Sequence, residues 1–507
     1  MSKKNLLALA CIVVALVSLL VSLHAGHPVQ GHLVHSDAMY LPVLFDDVLR
    51  RGGSLSDWYL TPAPYFFPDF PLYLLAWLSG NTVFEQTTAF ALLQTLLLTG
   101  ALFLVARTTL GSNRMLASAV LAILFVWLGL HVDDPFVRLF SSAHHYGAFV
   151  AALLLLALWS RLDVDPHSRL KAAAVACLVY LTTLSDALFL AQAVAPLMAA
   201  ALLCRRAPLR AAARRAAVLL GAPALAAMLS YRFVVAHPTR YKARLGLSKL
   251  SSNLDDVGTI CATLFGQRPL LAAALALALL AGLACIVACL RKKTPPTLPH
   301  PLLLLLVFAT LSCAATVAVM LLSTTVQPVP RYLISALSWL LVAGTFGLAS
   351  LLGARFRYAG LGLALVFSGL LATDAWRVRD TSDTAPYFYP EHVACIDRAL
   401  DQTGARHGIA QYWDAKQVQA LSRRQLTLAQ YTGELAPMAW ITSQRYFKAH
   451  YDFAIVADRA APPFRLPKAQ LAAINGEPVR TVTCGDYSVL LFGTGHLLAP
   501  AAAGAAR

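Results

Sequence analysis

Apolar runs recur along most of this 507-residue chain, and they constrain its fold more than any other feature. A helix of about 20 residues crosses the hydrocarbon core of a bilayer, which is roughly 30 Å thick. Only 13% of the residues are charged, 58% are hydrophobic and the mean hydropathy is +0.63, whereas soluble domains carry about 25% charged residues. The chain is therefore predicted to be an α-helical polytopic membrane protein.

Uninterrupted apolarity and flanking charge predict about 11 transmembrane helices. They cover residues 5–23, 83–106, 115–131, 146–160, 170–185, 187–204, 216–235, 270–290, 301–322, 331–352 and 358–375. The first run is too long for the apolar part of a signal peptide and has no clear cleavage site, so it is interpreted as an anchored helix. The fifth and sixth spans are divided at Ser185 and Asp186, because a single helix would bury this aspartate at mid-membrane.

The distribution of Lys and Arg predicts the orientation of these spans. With the N-terminus in the cytoplasm, the inner loops hold seventeen basic residues against two acids, Asp163 and Asp165. The first outer loop, residues 24–82, instead has five Asp against two Arg. The odd number of spans places the C-terminal part outside. Since the net charge of +16 is concentrated in loops beside the membrane, nucleic acid is not expected as a partner.

Three parts are predicted along the chain: a transmembrane domain over 1–375, a small α/β domain over 376–495 and a disordered tail over 496–507. Stretches such as "EHVACIDRALDQTG" favour helices, and "YDFAIVAD", "PVRTVTC" and "DYSVLLFG" favour strands. Cys395 and Cys484 lie near the two ends of the α/β domain, and an oxidising compartment would allow a disulfide between them. Two separately buried thiols are the alternative. No CxxC or His/Cys spacing points to a structural zinc site.

The first outer loop contains the stretch "HSDAMYLPVLFDDVLRRGG", His35 to Gly53. Pro42 suits the start of a helix, and Gly52 and Gly53 suit its end. The pattern predicts a short helix along the outer membrane interface, with Asp37 above the membrane at its N-terminal side. The following "YFFPDFPLYLLAWL" returns aromatic side chains and a second acid, Asp69, to the interface.

This arrangement resembles the GT-C superfamily of integral membrane glycosyltransferases, in particular bacterial aminoarabinose and mannosyl transferases. The shared features are an Asp after the first span, a Tyr three residues later, an interfacial helix ending in glycine, and an aromatic and proline-rich re-entry. A body with many spans and an outer C-terminal domain adds to the resemblance. Many members carry Asp-Glu or Asp-x-Asp at this point, whereas this chain has "SDAM" with a lone acid.

The resemblance implies transfer of a sugar from a polyprenyl-phosphate-linked donor to a lipid or glycan acceptor at the periplasmic face of a bacterial inner membrane. Asp37 is then the candidate base for the acceptor hydroxyl; its alternative role is to cap the interfacial helix. Cations are needed where negative charge develops on the leaving phosphate. The candidates are Arg240, Lys242, Arg244 and Arg331. Their alternatives are nonspecific contacts with membrane lipids and, for Arg331, anchoring at the membrane edge.

Further substrate contacts are predicted at Tyr40, Asp69, His144 and His145. Tyr40 could stack on a sugar or belong to an aromatic belt, and Asp69 could contact substrate or stabilise a turn. The histidines could bind the acceptor, shuttle a proton or, with Asp133 and Asp134, hold a divalent metal; interfacial placement is their alternative. No cofactor is certain. Asp46 and Asp47 are interpreted as solvated charges paired with Arg50 and Arg51.

Two other functions stay open from the sequence. A transporter or lipid flippase would place ionisable residues at mid-membrane and often has paired halves. This chain keeps its acids in outer loops and has no matching halves. An inactive, transferase-like scaffold is the other alternative, because Asp37 lacks an acidic neighbour.

Overall fold

The computed structural model describes residues 2–132, 134–205, 207–238, 244–291, 298–379, 385–401 and 403–499. The helices are α1 (Lys3–His24), α2 (Tyr40–Arg50), α3 (Asp69–Ser79), α4 (Val83–Thr109), α5 (Arg114–His131), α6 (Tyr146–Val164), α7 (Arg169–Ser185), α8 (Ala195–Leu203), α9 (Leu209–Ala216), α10 (Ala222–Val234), α11 (Leu250–Phe265), α12 (Pro269–Leu290), α13 (His300–Leu322), α14 (Ile334–Leu352), α15 (Phe356–Val378), α16 (Ala385–Phe388), α17 (Glu391–Asp401), α18 (Tyr412–Leu421) and α19 (Lys468–Asn475). The strands are β1 (Trp58–Leu60), β2 (His237–Pro238), β3 (His407–Ala410), β4 (Thr427–Gln430), β5 (Thr442–Ser443), β6 (His450–Tyr451), β7 (Phe453–Ala457), β8 (Arg480–Cys484), β9 (Tyr487–Leu491) and β10 (Leu497–Leu498).

The predicted helical membrane body is confirmed, and every predicted span falls on helical segments. Within the described residues, eight segments are long and apolar enough to cross a membrane; one of them, Pro330–Val378, contains both α14 and α15. The helix α7 and the apolar segment Leu190–Leu203 are shorter, with the predicted break at Ser185 and Asp186 between them. The number of 11 crossings therefore stays a prediction.

The membrane body packs its helices around one large apolar core. Here α1 lies against α5 and α15, and α13 lies against α14. Large apolar side chains remain exposed on the outside of this body, for example Phe233, Leu277 and Leu280. A helix surrounded by hydrocarbon needs no polar outer face, so this exposure is expected of a membrane protein.

The helix predicted in the first outer loop is α2. Its apolar side chains Val43 and Leu44 are buried, and the helix packs against α3 and α18. Its position along the membrane interface stays a prediction. Asp46 forms the predicted surface ion pair, with its Oδ2 2.6 Å from Nε of Arg51. The solvated role predicted for Asp47 is wrong: its carboxylate is buried and accepts a hydrogen bond from Nε1 of Trp58 at 2.9 Å. A buried carboxylate needs such a donor.

The C-terminal part contains a five-stranded sheet in the order β4-β3-β7-β9-β8. The strands β4, β3 and β7 are parallel, whereas β9 is antiparallel to both β7 and β8. Cys395 of α17 and Cys484 of β8 are joined by a disulfide with a Cα–Cα distance of 5.5 Å. Leu497 and Leu498, which were predicted to begin the disordered tail, instead form β10 beside β6; residues 500–507 lie outside the described residues.

A small second sheet attaches the C-terminal part to the membrane body. Its central strand β1, from the first outer loop, pairs in parallel with β2 and antiparallel with β5. Three distant parts of the sequence therefore share backbone hydrogen bonds. This sheet, together with the contact of α18 with α2, holds the C-terminal part over the loop that carries Asp37.

Candidate active site

Asp37 lies in the turn before α2 and is contacted by two other parts of the chain. Its Oδ2 accepts a hydrogen bond from Nη1 of Arg331 at 3.1 Å, and its Oδ1 accepts one from the hydroxyl of Tyr412. Arg331 lies in the short helical turn Pro330–Leu333 that leads into α14, and Tyr412 begins α18. The side chain of Asp37 is 18% exposed and that of Arg331 is 33% exposed. The pair is thus held by protein but is still reachable from solvent.

Burial alone would raise the pKa of Asp37, because a carboxylate loses hydration there. The hydrogen bond from Tyr412 and the positive charge of Arg331 outweigh this effect and lower its pKa below the ordinary value. Asp37 is therefore an anion at neutral pH. The burial of Tyr412, with the negative charge of Asp37 and the same hydrogen bond, raises the pKa of the phenol, so Tyr412 remains a donor. Asp37 does not cap the helix α2. The N-cap position of α2 is Met39, and no side chain caps this position.

Arg138 organises a group of neutral histidines beside Asp37. Its guanidinium holds Asp134 through two hydrogen bonds of 2.5 and 2.7 Å. Its Nη1 lies 2.5 Å from Nε2 of His35 and 3.3 Å from Nε2 of His144. Burial and the charge of Arg138 lower the pKa of His35 to about 4 and that of His144 well below its ordinary value. Neutral His144 donates from Nδ1 to the carbonyl of Ser142 at 2.6 Å, which leaves Nε2 as an acceptor.

These side chains test the hypothesis of a divalent metal. His35, Asp37 and His144 each offer a ligand atom, and these atoms lie within 4.8 Å of one another. The Arg138 guanidinium, however, already lies against the Nε2 atoms of both histidines and carries a fixed positive charge. A second cation would be repelled from the same space. The described residues therefore do not fit a metal at this point, and Arg138 supplies the positive charge instead. Asp133, the remaining predicted ligand, lies outside the described residues.

A second buried polar cluster lies around His145. Its Nδ1 is 2.6 Å from Oδ2 of Asp186, and its Nε2 is 3.3 Å from the hydroxyl of Tyr65. Both His145 and Asp186 are buried. Tyr65 donates to the imidazole, and Asp186 orients the ring from its other side. The order Tyr, His, Asp is one in which a proton can pass between the phenol and the imidazole.

Asp69 closes this second cluster from the re-entry segment. Its Oδ1 accepts the backbone N–H of Ala143 at 2.9 Å. Burial raises the pKa of Asp69 to about 7, and the negative charge of nearby Asp186 acts in the same direction. The backbone of Tyr65, Ala143 and His145 has positive φ values of 60°, 63° and 67°. Non-glycine residues in this region are strained, and such residues concentrate at functional sites.

The side chain of Tyr332 joins the two clusters. The Arg331 guanidinium lies 5.7 Å from the centre of the Tyr332 ring, and the His145 ring lies 5.6 Å from it on centroids. Arg331 thus contacts Asp37 on one side and an aromatic ring shared with the second cluster on the other. Of the residues predicted from the sequence, Asp37, Arg331, His144, His145 and Asp69 belong to these clusters.

Two other predicted substrate contacts, Tyr40 and Arg244, do not belong to this group. Tyr40 is fully buried; its hydroxyl donates to the carbonyl of Pro64 at 3.2 Å, so it is part of the core. Arg244 is exposed, and its backbone N–H donates to Oγ1 of Thr325. Arg240 and Lys242 lie outside the described residues.

Several polar residues of the site were not found from the sequence. Tyr412 and Lys416 come from the C-terminal part, one turn apart on α18. Lys416 is buried with its Nζ 4.0 Å from the centre of the Tyr412 ring. Burial lowers its pKa to about 7, and the charge of Asp37 partly opposes this. The signal available in the sequence was the spacing of Lys416, which lies four residues after Tyr412 and so on the same helical face. Arg138, a charge within the apolar "FVRLF", was another.

Comparison with known proteins gives similarity at the level of structure. No protein-family model matches the sequence, and no curated protein matches it either. The structure is similar to the crystal structure of ArnT from Cupriavidus metallidurans in the apo state, with a TM-score of 0.55 and 12% identity over 98% of this chain and 100% of that one. The ArnT structure bound to undecaprenyl phosphate gives a TM-score of 0.52 and 12% identity over 97% and 99% of the two chains. This similarity over nearly the whole chain confirms the GT-C-like fold that the sequence resemblance implies.

Proposed function

We propose that this chain, which has the GT-C fold, is a membrane glycosyltransferase that moves a sugar from a polyprenyl-phosphate-linked donor to a lipid or glycan acceptor of the cell envelope. We further propose that it resides in a bacterial inner membrane, with the N-terminus in the cytoplasm and residues 376–495 in the periplasm. The excess of Lys and Arg in the loops assigned to the cytoplasm supports this orientation. The disulfide of Cys395 with Cys484 supports it as well.

The observation that carries the proposal is the contact of Asp37 with Arg331. A carboxylate that is anionic at neutral pH lies 3.1 Å from a guanidinium that remains partly exposed. Glycosyl transfer from a phosphate needs a base for the incoming hydroxyl and a cation for the leaving phosphate. Two residues 294 positions apart in the sequence thus meet as a base and a cation.

In the proposed reaction, Asp37 takes the proton of the acceptor hydroxyl. The acceptor oxygen attacks the anomeric carbon of the donor, and the bond between that carbon and the phosphate oxygen breaks. The electron pair of this bond leaves with the phosphate. The hydroxyl of Tyr412 donates a hydrogen bond to Oδ1 of Asp37, as the hydroxyl of the sugar-accepting molecule would have to do. The acceptor must therefore displace Tyr412 or use the remaining lone pairs of the carboxylate.

Arg331 is proposed to bind the donor phosphate. Its planar guanidinium matches phosphate oxygens in a two-pronged geometry. Since the phosphate would compete with Asp37 for Arg331, donor binding would loosen the ion pair. That change would raise the pKa of Asp37 and make it a stronger base at the step where one is needed. Arg138 adds a fixed positive charge beside His35 and His144 that remains when Arg331 turns to the donor.

The proposal is tested by mass spectrometry of cell-envelope lipids and glycans from a host that lacks the protein, with and without the wild-type gene. The expected result is one sugar-sized mass increment on an envelope molecule that appears only when the gene is present. If the envelope lipids and glycans have the same masses with and without the gene, and a lipid instead changes its distribution between the leaflets, the result would contradict transfer and support the flippase alternative.

A further inference from the structure

A cavity of about 540 Å³ lies between α2, the turn from α3 to α4 and the C-terminal part. The lining of this cavity does not include the cluster around Asp37, which consists of Asp37, Arg331, His35 and His144. Its size falls in the range of about 300–1,000 Å³ that is typical of small-molecule sites. One wall includes Pro42 of α2, the helix that directly follows Asp37.

The charge of the cavity is positive. Its lining holds three guanidinium groups, those of Arg50, Arg51 and Arg423, and one carboxylate, that of Asp46. Arg51 is committed to protein partners, because Nε pairs with Asp46 at 2.6 Å and Nη1 donates to the carbonyl of Leu426 at 2.9 Å. Arg50 is 3.8 Å from Asp46 and is 45% exposed. Among the described residues, the Arg423 guanidinium has no carboxylate partner. Two arginines are thus available to an anion.

Each available arginine lies over an aromatic ring of the same cavity. The Arg50 guanidinium is 5.1 Å from the centre of the Trp77 ring, and that of Arg423 is 3.9 Å from the centre of the Tyr389 ring. Stacking on a ring limits where a guanidinium can go, so less entropy is lost when it binds an anion. Aromatic faces beside cations, with the amide of Asn81 at the rim, suit a sugar ring that carries a negative group.

The helix that contributes Trp77 to the cavity also carries exposed apolar side chains. Trp77 lines the cavity from α3, and the neighbouring Leu74 and Leu78 of this helix are 40% and 67% exposed. A ligand in this cavity can therefore carry an apolar chain along α3 while its polar part meets the arginines. This arrangement favours a sugar near a membrane surface over a ligand from the bulk solution.

We infer that this cavity binds an anionic saccharide, one that carries a phosphate or a carboxylate, and that it holds the part of the acceptor that does not react. The second half of this inference rests on the proposed function. Arg50 and Arg423 would bind the anion, and Trp77 and Tyr389 would contact the sugar rings. The reacting hydroxyl would then extend along the N-terminal side of α2 toward Asp37.

The test measures binding of two disaccharides to the purified full-length chain in phosphatidylcholine nanodiscs by titration calorimetry. The anionic probe is a glucuronate–N-acetylglucosamine disaccharide, and the neutral probe is chitobiose. We expect the anionic probe to bind at least about tenfold more tightly, because hydrogen bonds between a guanidinium and an anion are stronger than those between neutral groups. The double variant Arg50→Gln, Arg423→Gln should lose this preference. Arg398→Gln, an exposed arginine on α17 that does not line the cavity, is the matched control and should keep it.

The outcomes separate this inference from the proposed function. Equal binding of the two probes, no binding of either, or an unchanged preference in the double variant would each overturn the cavity inference. Loss of disaccharide binding when the chain is placed in phosphatidylglycerol nanodiscs would also overturn the inference, because the occupant of the cavity would then be a phospholipid headgroup. Asp37→Asn should bind the anionic probe as the wild type does. If the chain binds the anionic probe but transfers no sugar, the binding role of the cavity stands and only the proposed enzymatic function is refuted.

Discussion

Replacing Tyr412 by phenylalanine removes one hydrogen bond from Asp37, together with the hydrogen bond between the phenol and Trp440. The hydroxyl of Tyr412 donates to Oδ1 of Asp37, and the two residues are 375 positions apart. A hydrogen bond to a charged group contributes about 1.5–3 kcal/mol. Since one pKa unit corresponds to about 1.4 kcal/mol, the pKa of Asp37 should rise by roughly 1–2 units in Tyr412→Phe.

The pH dependence of kcat/KM measures this shift. If Asp37 is the base, activity falls as the pH decreases through the pKa of Asp37, because only the ionised carboxylate accepts a proton. Removal of the donor moves this acid limb to higher pH by roughly 1–2 units. The matched control is Tyr487→Phe, which removes a 3.2 Å hydrogen bond to Asp414 in the same C-terminal part. Its acid limb should coincide with that of the wild type.

Stability gives an independent readout of the same bond. The pKa of Asp37 is lowered in the folded state, so its interactions stabilise the fold above the unfolded pKa of about 4. This contribution is lost as the pH falls through the lowered, folded value. Tyr412→Phe should therefore unfold more easily than the wild type at neutral pH, and the difference should shrink in acid. An acid limb that does not move in Tyr412→Phe would refute the role of Asp37 as the titrating base.

Three further substitutions test separate parts of the account. Arg331→Ala should raise KM for the polyprenyl-phosphate donor about 10–100-fold, because charge-assisted phosphate contacts are lost; an unchanged KM would assign Arg331 to membrane anchoring. Arg138→Gln should raise the pKa of His35 from about 4, as measured by NMR of ¹⁵N-labelled histidine, and an unmoved pKa would contradict the electrostatic role of this arginine. Gly147→Ala should lower the free energy of unfolding by about 1–3 kcal/mol, because the new Cβ would lie 2.8 Å from Cδ of Pro68 and against the carboxylate of Asp69. Gly100→Ala, where nothing lies within 4 Å, is its control, and equal stabilities of the two variants would refute the packing argument.

The membrane body was predictable from sequence because hydrocarbon imposes a simple rule. Every backbone polar group must be paired inside lipid, so long apolar runs become helices. The break at Ser185 and Asp186 followed from the cost of a buried charge. The structure has that break, but Asp186 is buried against His145 rather than solvated in a turn. The sequence pattern identified Asp186 as the site of the break, but His145 as its partner is seen only in the structure.

The residues around Asp37 show where sequence patterns stop being informative. Asp37 was identified because it follows a membrane span within a recognisable loop. Tyr412 and Lys416 were missed because their approach to Asp37 depends on how the C-terminal part packs on α2, which no local pattern records. Asp47 was assigned to solvent by its helical spacing, yet it is buried, accepts a hydrogen bond from Trp58 and interacts electrostatically with Tyr446 of the C-terminal part. Local periodicity predicts which residues share a face, but it does not predict what covers that face.

Transfer by purified Asp37→Asn, measured together with binding of the polyprenyl-phosphate donor, tests the central claim most directly. The amide keeps the size of the carboxylate but cannot take the acceptor proton. We expect transfer to fall by about 10²–10⁴-fold, the usual contribution of a general base, while the donor still binds and the protein unfolds at a similar temperature. Wild-type rates of transfer in this variant would contradict the claim and remove Asp37 from the reaction.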